Sequence, residues 1–346
     1  MLSTTKTTNT LLLFIVIPVV FYLLKTLSFI FVPLVLSMFI SLLFLPLMRW
    51  LEKRKINKPI SIGIVIILIF IIFQVSFQLI QLSSQEIIAT KDVFFLKAEG
   101  KLISLLLWAE NYFGIELETE NNLLLQFFNS DNIMGNITPI VKTVGSTITM
   151  TLMTAFFVIL WLAESINVQQ VMHTILIKQR HASVKTFLKI EKDLMTFIKV
   201  KFLVSLLTGI GTGLACYFFD VSFPIFWGIF GFVINFIQMI GSFITVITVS
   251  LFAMVELEPS GQLAFFVLTV TGVQVLFGTI LEPVFMGKSF SINIITVLVM
   301  LMLWGFIWGI PGMILSIPIT VFFKIILEQF QSTRYISNLL SGTPKA

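Results

Sequence analysis

The chain has 346 residues, 57% of them hydrophobic and only 11% charged, with a mean hydropathy of +1.04. Soluble domains carry about 25% charged residues, so this composition excludes a soluble globular protein. The net charge of +5, from 22 Lys and Arg against 17 Asp and Glu, suits basic loops at an inner membrane face better than a nucleic-acid surface, and the lone Cys216 excludes an intrachain disulfide framework.

Charges mark the limits of the membrane-crossing segments, because a Lys, Asp or Glu at the centre of a lipid-facing helix costs at least about 2.5 kcal/mol. The uncharged intervals run, in order, Thr7 to Leu24, Thr26 to Met48, Pro59 to Gln85, Thr143 to Ala163, Phe202 to Phe219, Val221 to Val255, Pro259 to Leu281 and Ser289 to Phe323. Six have the length of one crossing, about 20 residues. The first opens a helical hairpin over Thr7 to Phe31 and has no small-residue cleavage pattern. The two long intervals each suit a helical hairpin or a broken helix. Val221 to Val255 carries Gly228, Gly231 and Gly241 near its middle, and Ser289 to Phe323 carries Gly309, Pro311 and Gly312.

Basic loops stay in the cytoplasm. The run from Arg49 to Lys58 has five basic residues and one acidic, which places it and the N-terminus inside. Residues 86–142 then fall outside, with eight acidic and four basic residues, and read as an extracytoplasmic amphipathic insertion. Residues 164–200 read as a cytoplasmic basic amphipathic loop; the charges at this end are Lys178, Arg180, Lys185, Lys189, Lys192, Lys199 and Lys201. Asp220 and the Glu256–Glu258 loop fall outside if Val221 to Val255 is re-entrant, Lys288 falls inside, and the last block leaves the C-terminus inside. The expectation is an all-α, polytopic integral membrane protein forming one membrane domain over 1–346, with eight transmembrane helices and one re-entrant or broken-helix hairpin.

Catalytic constellations are scarce. His173 and His181 lie in the basic loop without cysteines or an H-E-x-x-H pattern, so no metal site is expected. Gly287-Lys288-Ser289 ends like a phosphate-binding loop, but Glu282 stands where that loop needs its first Gly. Neither an enzyme nor a cofactor is indicated, and nucleic acid is not an expected partner; the partners expected are the bilayer and a small polar solute.

In hydrocarbon, a broken helix is tolerated only where protein or a water-filled cavity serves the freed backbone groups. The breaks therefore mark a candidate substrate path. Asn235 and Gln238, around the Phe236 to Gly241 break, are either solute contacts or interhelical packing bonds. Glu282, followed by Pro283, is either a carboxylate for proton or sodium coupling or an interfacial group paired with Lys288. Gln274 is a further path candidate in the middle of its crossing. Gly209 with Gly213, and Gly305 with Gly309, make small-xxx-small spacings that favour close helix contact. Lys324 is expected to snorkel to the inner face.

Glu282-Pro-Val-Phe-Met-Gly-Lys-Ser-Phe-Ser-Ile-Asn293, then Trp308-Gly-Ile-Pro-Gly312 and Ser316-Ile-Pro318, resemble the C-terminal signature of the autoinducer-2 exporter family of bacterial permease-like proteins. The likeness extends to Pro46-Leu-Met-Arg-Trp-Leu-Glu52 and to the Phe236 to Gly241 break. It implies eight crossings, export of the signalling molecule autoinducer-2, and in some members sodium/proton antiport. The motif positions it marks are Glu282, Pro283, Gly287, Lys288, Pro311, Gly312 and Pro318, and Gln238 stands where the family usually has Pro. The expected role is a secondary transporter whose path runs between the Val221 to Val255 break, Gln274 with Glu282, and the Gly309 to Gly312 break, with Gly241 and the motif Pro and Gly residues as hinges. A monovalent cation/proton antiporter and an oligomeric channel or scaffold are the alternatives, and a homo-oligomer is expected.

Overall fold

The computed structural model describes residues 4–113, 149–164, 181–258, 261–286, 292–329 and 333–341, and all the regular structure in them is helical. Gly287 and Lys288, His173 and much of the two expected amphipathic segments lie outside the described residues. In chain order the helices are α1 (Thr4–Thr26), α2 (Ser28–Lys53), α3 (Lys58–Phe113), α4 (Thr149–Glu164), α5 (His181–Phe218), α6 (Pro224–Ile234), α7 (Ile240–Glu256), α8 (Gly261–Gln274), a π-helical segment (Val275–Leu281), α9 (Glu282–Met286), α10 (Ile294–Gln329) and α11 (Arg334–Ser341). Among the described residues five helices are long and apolar enough to cross a membrane: Ser28–Lys53, Lys58–Thr90, Ile190–Phe218, Gly261–Met286 and Ile294–Glu328.

The chain divides into two compact units, residues 1–67, 149–199 and 286–346, and residues 68–148 and 200–285. In the first, α1 and α2 do not form the hairpin expected over Thr7 to Phe31. The Leu27 N–H donates to Leu23 O and the Phe31 N–H to Leu27 O, so the helical hydrogen-bond ladder runs across the junction and leaves a bend. Val32, Phe39, Leu194, Trp304, Trp308 and Leu315 form this unit's core. Trp308 Nε1 donates to Leu24 O at 3.0 Å, and Lys25 Nζ stands 3.7 Å over the Phe306 ring. Arg49 forms an ion pair with Glu191.

Helix α10 turns back on itself at Gly309. With φ 65 and ψ −142, that residue occupies backbone space that only glycine enters cheaply. Residues eight apart lie about 12 Å apart along an unbroken helix, yet a Cβ on Gly312 would run into the Trp304 carbonyl, and one on Gly305 would meet Met313 at 3.0 Å. Two arms, residues 294–308 and 310–329, therefore lie against each other. The second arm carries Lys324, which is buried instead of snorkelling. Ser337 of α11 donates to the Lys324 carbonyl at 3.3 Å, and Asn293 N–H donates to Leu340 O at 3.0 Å, tying α11 to both ends of this hairpin.

The second unit is built around α5, α6, α7 and α8. Gly209 and Gly213 of α5 bring its backbone against α6: added Cβ atoms would meet Gly228 O at 2.6 Å and Pro224 O at 3.0 Å. This spacing is a packing device, as the sequence pattern suggested. Between α5 and α6 the chain turns through Asp220 and Phe223, both at positive φ. The turn's backbone amides are held by carboxylates: Ser222 N–H donates to Glu256 at 2.6 Å and Phe223 N–H to Glu86 at 3.2 Å. Below it sit Cys216, Phe223, Trp227, Val249, Phe266 and Val270, a core drawn from all four helices.

Helix α5 departs from the sequence-based expectation at its start. The Lys-rich run from residue 181 is not an amphipathic segment separate from a crossing at Phe202; it is helical from His181 onward and continuous with the apolar part. Likewise, residues 86–113 are the continuation of α3, a single helix of 56 residues.

Candidate functional site

Helices α6 and α7 are joined by a five-residue turn, Asn235 to Met239, that reverses the chain so tightly that a Cβ on Gly241 would strike the Ile234 carbonyl. Within it the Ile240 N–H donates to Gln238 O at 2.7 Å across Met239, whose φ of 63 and ψ of −51 make this a γ-turn of the rare, strained kind. The turn directs Asn235 and Gln238 towards α8 and the π segment. Opposite, the helix Gly261–Met286 widens over Val275–Leu281, where the Glu282 N–H reaches five residues back to Phe277 O. Pro283 follows immediately. Lacking an N–H, it leaves one carbonyl of the preceding turn without its helical donor, and its ring crowds that turn, both of which favour the wider coil.

Between these two irregular elements lies a cavity of about 410 Å³, lined by residues of α5, the Asn235 to Met239 turn, α7, α8 and the π segment with its continuation. Its polar wall comprises Lys201, Asn235, Gln238, Ser242, Thr271, Gln274, Thr279 and Glu282. All four residues expected on the substrate path, Asn235, Gln238, Gln274 and Glu282, therefore meet at one place. Gly241 and Pro283 shape its walls. Gly309, Pro311, Gly312 and Pro318 belong to the other compact unit and do not line it.

Lys201 is the residue the sequence reading misplaced. Counted there among cytoplasmic charges, it is 3% exposed within the apolar part of α5, and its Nζ donates to both Glu282 oxygens at 3.0 Å. Glu282 is also 3% exposed. Among the described residues its partner is thus Lys201, 81 residues away in sequence; Lys288, the partner of the interfacial reading, lies outside them. A signal for this was present: Lys201, Ser205, Thr208 and Thr212 recur at helical spacing and are all buried, a polar stripe on an otherwise apolar helix.

The polar atoms of the wall divide into committed and uncommitted ones. Asn235 Nδ2 donates to Ser205 Oγ at 3.0 Å, so Asn235 is in part the interhelical packing bond that was one of its two readings. Gln274 is 3% exposed, yet neither its Oε1 nor its Nε2 has a hydrogen-bond partner among the described residues, and the same holds for Gln238 Oε1. Leaving such a group buried and unpaired costs about 1–3 kcal/mol. Three such atoms on one cavity are what a binding site for a polar molecule requires, because the ligand supplies the missing partners.

Residues 11–332 match the family described as AI-2E family transporter. The chain belongs to that family. Among its relatives is the AI-2 transport protein TqsA of Escherichia coli, 24% identical over 328 residues, covering 91% of this chain and 90% of TqsA. YhhT of the same organism is 27% identical over 323 residues, covering 92% of this chain and 90% of YhhT. A candidate transport protein of Borreliella burgdorferi is 34% identical over 155 residues, 44% of this chain and 43% of that protein. For this AI-2E transporter, the buried ion pair and the unpartnered amides thus lie in a chain built of membrane helices, and the Glu282-Pro283 motif is the point at which the π segment ends.

Proposed function

We propose that this chain is a secondary transporter of the bacterial cytoplasmic membrane that exports a small polar solute of the autoinducer-2 type, with its solute seat in the cavity between the Asn235 to Met239 turn and the π segment. The observation that carries the reading is the set of three buried, unpartnered amide atoms on Gln238 and Gln274 facing a cavity large enough for a small molecule. Gln274 and Gln238 hold the solute, the strained turn and the π segment are the elements that change shape, and both termini face the cytoplasm. The full-length relationship to TqsA, whose name gives AI-2 as its cargo, supports the solute class.

Monovalent cation/proton antiport is the second reading, and Glu282 is the observation that favours it, since such exchange needs a carboxylate within the membrane. Purified protein in liposomes separates the two: labelled autoinducer-2 and sodium are followed under an imposed proton gradient. Solute movement that tracks the protein and falls about tenfold or more in Gln274→Ala is expected. Sodium-dependent proton flux without solute movement would replace export by antiport, and solute movement indifferent to Gln274 and Gln238 would remove the cavity from the path.

A further inference from the structure

We propose that the Lys201–Glu282 pair is a charge filter: it makes the cavity electrically neutral, so that the seat beside it takes an uncharged solute with a hydrogen-bond donor and acceptor on neighbouring atoms, and Lys201 is the specificity-determining residue that keeps cations out. This rests on the cavity being the solute's seat.

The argument begins with what each wall group has left to offer. Lys201 spends two of its three N–H donors on the two oxygens of Glu282, both at 3.0 Å, so neither carboxylate oxygen presents an uncompensated charge. The two charges come from different helices, α5 and the junction of the π segment with α9, and each side chain is only 4% exposed, so water does not share in the pairing. Asn235 donates one of its two amide hydrogens to Ser205. Beside the third Lys201 N–H, the buried wall atoms left without a partner among the described residues are neutral: the Oε1 and Nε2 of Gln274, side by side, and the Oε1 of Gln238. A carboxamide with both atoms free pairs with a molecule presenting the complementary donor and acceptor, and a solute of that kind satisfies the wall without disturbing the ion pair.

An ion meets a different site. To enter, a cation must either displace the Lys201 ammonium from Glu282 or sit in low-dielectric surroundings without a counter-charge, and an anion faces the mirror-image problem at Lys201. Rejection of ions thus follows from the pair being whole. Removing one partner inverts the selectivity: a bare Glu282 carboxylate with the Gln238 and Gln274 oxygens near it is a set of hard oxygen ligands for a monovalent cation, and a bare Lys201 ammonium attracts an anion. Removing both returns a neutral site.

The test measures binding by calorimetry on the full chain in lipid nanodiscs, with sodium supplied with a bulky anion, acetate supplied with a bulky cation, and D-ribose and nicotinamide as uncharged probes. Lys201→Gln is expected to bind sodium at least about tenfold more tightly than the unmodified protein, with no gain for acetate; Glu282→Gln is expected to gain for acetate and not for sodium. The double variant Lys201→Gln/Glu282→Gln is expected to gain for neither. It leaves no buried charge unpaired, so it supplies an answer even where a single variant fails to fold: ion binding by the double variant overturns the filter. So does unmodified protein that binds sodium as tightly as Lys201→Gln, or a pair of folded single variants with no gain for either ion. Because binding is read without flux, a protein that obeys the charge rule but moves nothing across a liposome leaves the filter standing and removes the transport reading. A protein that exports solute while its variants ignore the rule does the reverse.

Discussion

At the scale of single residues, the structure separates positions that look alike in the sequence. Gly241 and Gly312 both face a backbone carbonyl so closely that a methyl group has nowhere to go, whereas Gly63 and Gly272, also in helices, have nothing within 4 Å. Gly241→Ala and Gly312→Ala are therefore expected to lower thermal stability by about 1–3 kcal/mol or more, and Gly63→Ala to raise it by about 0.5–1 kcal/mol, as a helix-interior glycine replacement should. Unfolding in detergent, followed by tryptophan fluorescence, measures both; equal effects at the two kinds of site would show that the tight reversals are misdescribed. The Arg49–Glu191 and Lys201–Glu282 ion pairs differ in the same way. Arg49 and Glu191 have side chains 32% and 14% exposed, and breaking such a partly solvated pair costs about 1 kcal/mol at most. Lys201 and Glu282 are shielded, and Lys201→Ala leaves a buried carboxylate alone, a loss of about 3–5 kcal/mol. A Tm drop for Lys201→Ala no larger than that for Arg49→Ala would place Glu282 in water.

Elements explain why the site sits where it does. Both walls of the cavity are places where helix geometry fails, the γ-turn at Met239 on one side and the π segment before Pro283 on the other. A π turn accommodates about one residue beyond the α-helical count, and one residue is about 100° of rotation. Pro283→Ala restores the missing amide and favours relaxation to α-helix, which would swing Glu282 away from Lys201; the expected result is loss of most transport together with a lowered Tm, since both buried charges lose their partner, read as liposome flux beside thermal unfolding. Retained flux would show that the widening is maintained by packing alone. Some of this was legible beforehand. The uncharged intervals located α2, the membrane part of α3, the helix Gly261–Met286 and α10 to within about six residues, and the glycine and proline clusters located the reversals at Gly241 and Gly309, because the cost of charge and of unpaired backbone in hydrocarbon writes itself into composition. What the intervals missed was a charge that belongs inside. Lys201 looked like the edge of a crossing because its compensating partner is remote in the chain, and pairing at that separation leaves no local trace. The bend at Leu27 was missed for another reason: Lys25 separates two apolar runs, but its ammonium rests over the Phe306 ring, so it ends nothing.

Across the whole molecule, the charge asymmetry of the loops sets orientation. A reporter fused after Leu117 is expected at the outer face and one after Gln179 in the cytoplasm, and reversal of the two would turn every loop over. The 56 residues of α3 correspond to about 84 Å of helix, well over twice the ~30 Å hydrocarbon core, so its second half leaves the bilayer at the outer side under this orientation. The division into two compact units was not visible in the sequence at all. Two of its boundaries fall inside α3 and α5, where the helix continues unbroken from one unit into the other.

Helix α6 has a consequence for how the chain is made. Its 11 residues extend about 16 Å, half the thickness of the hydrocarbon core. A ribosome that has delivered the chain only as far as Ile234 has thus handed the insertion machinery a segment too short to be released into lipid as a crossing. Stable entry must wait until α7 has also emerged and the Asn235 to Met239 turn has closed the two into one unit. Birth of the solute seat and commitment of this region to the membrane are then the same event, and a soluble reporter carrying residues 221–234 as its one apolar segment should remain extractable where one carrying residues 221–256 does not.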